Sequence, residues 1–194
     1  MRLKIVQAGE PVLRQKARAL SREEILSAGT QTLIEHMRDT MRDAPGVGLA
    51  APQVGVSVQL AVIEDRAEYH AKATAAQLAE RQRVPVAFHV VINPRITFAG
   101  ETTLEFFEGC LSVEGYSAIV PRTARITVEF LNERAEPVRV EASGWYARIL
   151  QHEMDHLNGI LYTDRMLPRT LSTVPNLERH WKDTAIGEVK SRLG

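Results

Sequence analysis

The stretch Ser143-Gly144-Trp145-Tyr146-Ala147-Arg148-Ile149-Leu150-Gln151-His152-Glu153-Met154-Asp155-His156-Leu157-Asn158-Gly159 decides how the rest of the chain must be arranged. Ser143 stands where a helix N-cap is favoured, and Gly159 where a chain commonly leaves a helix in the left-handed conformation. At about 100° per residue, Arg148, Gln151 and Asp155 form a polar stripe expected to face solvent. Tyr146, Ala147, Leu150, Met154 and Leu157 fill an apolar arc expected to face a core. Between them lies a third face of Trp145, Ile149, His152 and His156. Glu153 falls between that face and the apolar arc. A carboxylate withdrawn from water is costly without a positive centre or donors beside it, and two imidazoles one turn apart are placed to hold a cation.

His152-Glu153-Met154-Asp155-His156 is the H-E-x-x-H pattern, in which the paired histidines bind a metal and the glutamate handles protons. The bland alternative is a structural histidine pair. A catalytic site of this type keeps three protein ligands and one open position. Metzincins continue to a third His six residues after the second, through a Gly. Here Gly159 fits, but the ligand position is Tyr162. Gluzincins use a downstream Glu, yet Glu178 and Glu188 sit in no recognisable motif. The remaining candidate is the single cysteine, within Glu108-Gly109-Cys110-Leu111-Ser112. Gly109 permits close backbone approach, and a metal would hold Cys110 as thiolate. A thiolate with two neutral imidazoles leaves a dication site at a net single positive charge, Lewis-acidic enough to activate a water. Taken alone, a lone Cys is more often a small buried hydrophobe.

Outward from this helix, Ser21-Arg22-Glu23-Glu24 reads as a capping box. It heads one helix carrying Leu26, Leu33, Ile34, Met37 and Met41, closed by Pro45-Gly46. A loop follows, Gly46-Val47-Gly48-Leu49-Ala50-Ala51-Pro52-Gln53, which on its own reads as a tight, close-packed turn. Val56 to Ile63, Phe88 to Asn93 and Thr102 to Phe107 are expected strands. Arg125 to Leu131 alternates and turns into Val138 to Glu141, a hairpin. The Ala-rich segment 67–83 is expected to be an exposed helical insertion, and 176–194 a solvated helix. The expected class is α+β, with mostly antiparallel sheets around the H-E-x-x-H helix, in a single domain spanning 1–194 with a tail from about 170.

The chain has 194 residues, 44% of them hydrophobic and 25% charged, and 24 Lys+Arg balance 24 Asp+Glu. These are ordinary globular values that exclude disordered, collagen-like or coiled-coil chains. Zero net charge removes the electrostatic case for nucleic-acid or membrane-surface binding. No apolar run is long enough to span a bilayer. Met1 to Gln7 is too polar for a secretory signal, and one cysteine allows no intramolecular disulfide, so the expected address is the cytoplasm. His36, His70, His89 and His180 have no partner at metal spacing and are read as ordinary surface or core residues.

Three ordered motifs, 46–53, 108–112 and 151–156, together with Val12-Leu13-Arg14 after Gly9, closely resemble those of the peptide deformylase family. The resemblance runs from the start to about Met166. Trp145-Tyr146-Ala147-Arg148 and Gly115-Tyr116 look closest to its mitochondrial-type branch, and the 67–83 insertion departs from shorter members. The resemblance implies Cys110, His152 and His156 as ligands, Glu153 as general acid/base, and Gln53 with the backbone N–H of Leu111 as oxyanion donors. It implies one divalent ion, Fe²⁺ by family habit, while ligand type alone leaves Zn²⁺, Ni²⁺ or Co²⁺ open. The implied reaction removes the N-formyl group from the initiating methionine of nascent polypeptides, which leaves room for a transient ribosome contact. Val47 and Gly48 would bond an extended peptide, close to Gly109. Phe106, Trp145 and Ile149 would line the methionine pocket. The rival readings are a zinc endopeptidase with a downstream third ligand, and a non-enzymatic Cys/His metal or redox site.

Overall fold

The run Leu60-Ala61-Val62-Ile63 is buried at every position, which a strand with one wet face would not be. Structure is therefore laid against both of its faces. A computed structural model describes residues 1–71 and 73–193. In chain order the elements are α1 (Arg22–Leu26), α2 (Ala28–Asp43), β1 (Gly48–Ala50), β2 (Leu60–Asp65), α3 (Ala75–Glu80), β3 (Val86–Phe98), β4 (Thr103–Cys110), β5 (Val113–Thr123), β6 (Arg125–Leu131), β7 (Pro137–Ser143), α4 (Gly144–Leu157), β8 (Ser172–Thr173), α5 (Val174–His180) and α6 (Ile186–Leu193). Five strands form one sheet in the order β1-β2-β3-β6-β7, and three form another, β4-β5-β8. Every pairing between these strands is antiparallel. The α+β class is as expected.

The five-stranded sheet carries a core on each face. On one side Ile34, Met37 and Met41 of α2 pack with Leu49, Leu60, Val62 and Ile92. On the other, Ala147, Ile149, Leu150 and Met154 of α4 pack with Ile63, Val91, Ile126, Val128 and Phe130. The two-residue period of the strands sorts these side chains between the faces. The far side of α4 meets the three-stranded sheet: Arg148 donates to the carbonyls of Val120 and Leu104, and Gln151 to that of Thr123. The helix is thus held between two sheets. This overturns the expected solvent stripe, since Arg148, Gln151 and Asp155 are only 3%, 6% and 7% exposed.

Local boundaries also differ from expectation. The first helix is two, because Ser27 is extended (φ −66°, ψ 147°) and caps α2 through Oγ and Thr30 N–H, which leaves Ile25 buried and Leu26 exposed. Residues 56–59 fall outside β2, where Arg18 pairs with the chain beside Val58. The strand β5 was not expected, since Gly115 and Pro121 interrupt its pattern. Segment 67–83 holds a 3-10 turn at Ala67–His70 and the short α3. The C-terminal stretch is two helices, not one solvated one, anchored by buried Val189 and by Lys190 Nζ, 2.6 Å from Glu105 Oε2.

Ser143 holds the N-cap position of α4, but its side chain makes no cap bond. Gly144 follows it at φ +56°, where an added Cβ would lie 2.5 Å from Gln82 Cβ and 2.8 Å from the Arg81 carbonyl. The end of the 67–83 segment is therefore seated on the start of α4. Gly144→Ala is expected to lower stability by about 1–3 kcal/mol through backbone strain and this clash. Thermal unfolding checks it; an unchanged Tm would mean the seat is not held in solution.

Candidate active site

Cys110 ends β4, and His152 and His156 lie one turn apart on α4. Their donor atoms all come within 4.8 Å of one another, the one such group of three among the described residues. Cys110 Sγ is 3.2 Å from His156 Nε2. His152 Nδ1 lies 3.0 Å from Glu108 Oε2. A carboxylate can only accept there, so Nδ1 donates and the Nε2 lone pair is left for a ligand. Burial pushes the His152 imidazole down, but the hydrogen bonds it donates to the Cys110 sulfur and the Glu108 carboxylate outweigh this and hold it well above its ordinary pKa. Burial and the charge on His152 press His156 well below its own. The site thus favours positive charge close to the sulfur, and the donor set fits a cation.

Glu108 is the hub of a buried ion network that the helical spacing of α4 does not reveal. Arg122 grips it with Nε and Nη2, each at 2.9 Å, and reaches Asp155 with Nη1. Arg148 adds a 2.6 Å bond to Glu108, and Arg165 binds Asp155 at 2.7 and 2.8 Å. Burial pushes the Glu108 carboxyl up, but His152 and Arg122 outweigh it and hold it far below the carboxylate range. The polar stripe of α4 is therefore the scaffold for a ligand's orientation. The need of a ligating histidine for an acceptor at its second nitrogen could have pointed to Glu108; nothing in the sequence singled out Arg122.

Glu153 is 4% exposed, and its Oε2 has no partner among the described residues. Burial lifts its carboxyl to about 7. A Cβ on Gly48 would lie 2.2 Å from Glu153 Oε1, so only glycine lets β1 run so close to the carboxyl. Gln53 is buried with its amide fixed: Oε1 accepts from Ala50 N–H at 2.8 Å, which turns Nε2 towards Ser112 Oγ (3.3 Å) and Cys110 Sγ (3.6 Å). Leu111 lies in the tight turn between β4 and β5, where Cys110 pairs with Val113. Gln7 Nε2 donates to the Leu111 carbonyl at 2.9 Å, a contact not anticipated.

These groups open into a cavity of about 840 Å³, lined also by Val47, Gly48, Gly109, Trp145 and Ile149. Phe106 does not reach its wall, contrary to expectation. The pleat of β4 turns Phe106 inward behind Trp145, with ring centroids 6.4 Å apart, and Phe107 lines the cavity instead. Tyr162, at the metzincin ligand position, stacks on His152 at 6.4 Å and 20°. Glu178 and Glu188 belong to no group of potential ligands among the described residues.

A family model described as "Polypeptide deformylase" matches residues 2–171. The chain is 48% identical over 174 residues to the chloroplastic peptide deformylase 1A of Solanum lycopersicum, across 90% of this chain and 63% of that protein, so it spans less than two thirds of that relative's length. It is 44% identical over 193 residues to peptide deformylase 3 of Streptomyces avermitilis, covering 99% of this chain and 84% of the relative. A class I type b peptide deformylase of Acinetobacter baumannii, solved with Met-Ala-Ser bound, superimposes with a TM-score of 0.76 at 31% identity, over 86% of this chain and 99% of that one. A match across most of the sequence, a shared fold and the convergence of all three motifs on one cavity lead to the same place: the chain belongs to the peptide deformylase family.

Proposed function

We propose that this protein hydrolyses the formamide bond of N-formyl-methionyl polypeptides, releasing formate and a free amino terminus. The observation that carries it is the buried Glu153 carboxyl beside three convergent donors, at the open edge of a sheet. Cys110, His152 and His156 would hold one divalent ion, Fe²⁺ by family habit. When bound, such an ion would supply the Lewis acidity that makes the attacking water easier to deprotonate. Glu153 takes the proton of the attacking water and passes it to the leaving amine, a task suited to a carboxyl whose pKa lies near neutrality. The Gln53 amide and the Leu111 N–H stabilise the negative charge that grows on the formyl oxygen.

The edge strand β1 bonds β2 on one side only. Its Val47–Gly48 end can therefore accept an extended peptide as an added strand. The first side chain then enters the cavity beside Trp145 and Ile149. Peptides emerging from the ribosome are the matching substrate, so a transient ribosome contact and a cytoplasmic address belong to the same reading, as does one catalytic domain over 1–194. No helix among the described residues is long and apolar enough to cross a membrane.

Gln53→Ala is expected to cost roughly 10²–10³ in kcat with the ion retained; a loss under twofold would reduce Gln53 to a filler. The function itself is tested by formate release from formyl-Met-Ala-Ser, with acetyl-Met-Ala-Ser as control. Formate from the formyl peptide alone supports it. Turnover of the acetyl peptide, or internal cleavage, overturns it in favour of an endopeptidase.

A further inference from the structure

The 67–83 segment does more than decorate the surface: it places Arg81 on the wall of the cavity that holds His152 and Glu153. The guanidinium carbon of Arg81 stands 5.1 Å from the Trp145 ring centroid and 5.6 Å from that of Phe106. Two other arginines crowd the same indole, Arg83 at 5.2 Å and Arg148 at 5.9 Å. Both are neutralised. Arg83 binds Asp65 through two 2.8 Å bonds, and Arg148 binds Glu108. Arg81 has no ion pair and no side-chain hydrogen bond among the described residues. Elsewhere on the wall Arg2 is paired with Asp43, and the other acidic groups are Glu108 on β4, Glu114 on β5 and Glu153 on α4. The indole Nε1 of Trp145 is likewise buried without an acceptor among the described residues. Burial and the neighbouring Arg83 hold the Arg81 pKa below its ordinary value, yet an arginine stays charged. A partly desolvated cation on the wall of a binding cavity, with no ion-pair partner among the described residues and only the weaker influence of neighbouring Glu80 in its favour, is stabilised by an incoming anion.

We infer that Arg81 is a specificity residue of this site, favouring formyl peptides with an acidic side chain at the second or third residue. The inference rests on the deformylase reading above. The distances suit it. The guanidinium of Arg81 stands 5.1 Å from the indole of Trp145, beside which the first side chain enters. An extended peptide advances about 3.3 Å per residue, so carboxylates just behind the formyl-methionine come within reach of Arg81.

The test compares kcat/KM for formyl-Met-Asp-Ser, formyl-Met-Ala-Asp and their Lys counterparts, in wild type, Arg81→Ala and Arg81→Glu. Wild type should prefer the acidic member of a pair on the order of fivefold, through KM, the size expected of a partly exposed ion pair. The preference should shrink with salt, vanish in Arg81→Ala and invert in Arg81→Glu. Each ratio is internal to one variant, so partial misfolding does not disturb it. An equal preference in wild type and Arg81→Ala, or none in wild type, overturns the inference while leaving the deformylase reading intact. Absence of formate from every peptide overturns that reading instead. Calorimetric binding of acetyl-Met-Ala-Asp against acetyl-Met-Ala-Lys then decides the role of Arg81 without turnover, equal affinities in wild type counting against it.

Discussion

Glu153→Gln is expected to fold normally, keep its ion, and lose about 10²–10⁴-fold in kcat, the contribution of a positioned general acid–base. The substitution preserves volume, which matters because the side chain is buried against Gly48 with no room to rearrange. It removes the one thing the mechanism asks of the residue. A carboxyl lifted towards neutrality by burial can both take and return a proton, and an amide can do neither. Metal stoichiometry and Tm separate this from damage to the site. An active variant would dismiss Glu153 as the proton carrier, and an inactive but metal-free one would place it among the ligands.

Glu108→Ala is expected to act on both fold and ion. It leaves Arg122 and Arg148 buried beside each other without their shared carboxylate, each only 4% exposed in its side chain. Breaking a buried pair from one side costs about 3–5 kcal/mol, because the orphaned charge stays in a poor dielectric. It also takes the acceptor from His152 Nδ1, and loss of such a support weakens metal binding about 10–100-fold. Thermal unfolding of the metal-free protein reads the first effect, and competition with a chelator the second. Unchanged metal affinity in a folded Glu108→Ala protein would show that the His152 ring is oriented by its surroundings alone.

The histidine pair was legible because metal chemistry imposes residue types and a spacing that H-E-x-x-H displays directly, whereas Cys110, far away in the chain, was reached only as the remaining candidate and through the family resemblance. The Ser21 capping box and the 125–141 hairpin, both local signals, were legible too. The polar stripe of α4 was misread for a physical reason. Arg148, Gln151 and Asp155 look like a solvated face until a second sheet covers them, and their partners Glu108 and Arg122 lie far away in the chain. Ser27 split a helix because a residue suited to its interior by spacing was better suited to a cap. Phe106 and Phe107 exchanged places at the cavity because strand pleat is set by register, which adjacent phenylalanines do not reveal. Arg81 gave no sign in the sequence; only its seat against Gly144 brings it to the site.

The proposed reaction depends most on Cys110, His152 and His156 gripping one ion while leaving a position open. Anomalous diffraction from crystals of anaerobically purified protein tests this directly. The predicted result is a single peak bonded to the Cys110 sulfur at about 2.3 Å and to the two imidazoles at about 2.0–2.1 Å, with no further protein ligand. A peak held by a fourth side chain, or one that leaves Cys110 unbound, would contradict it.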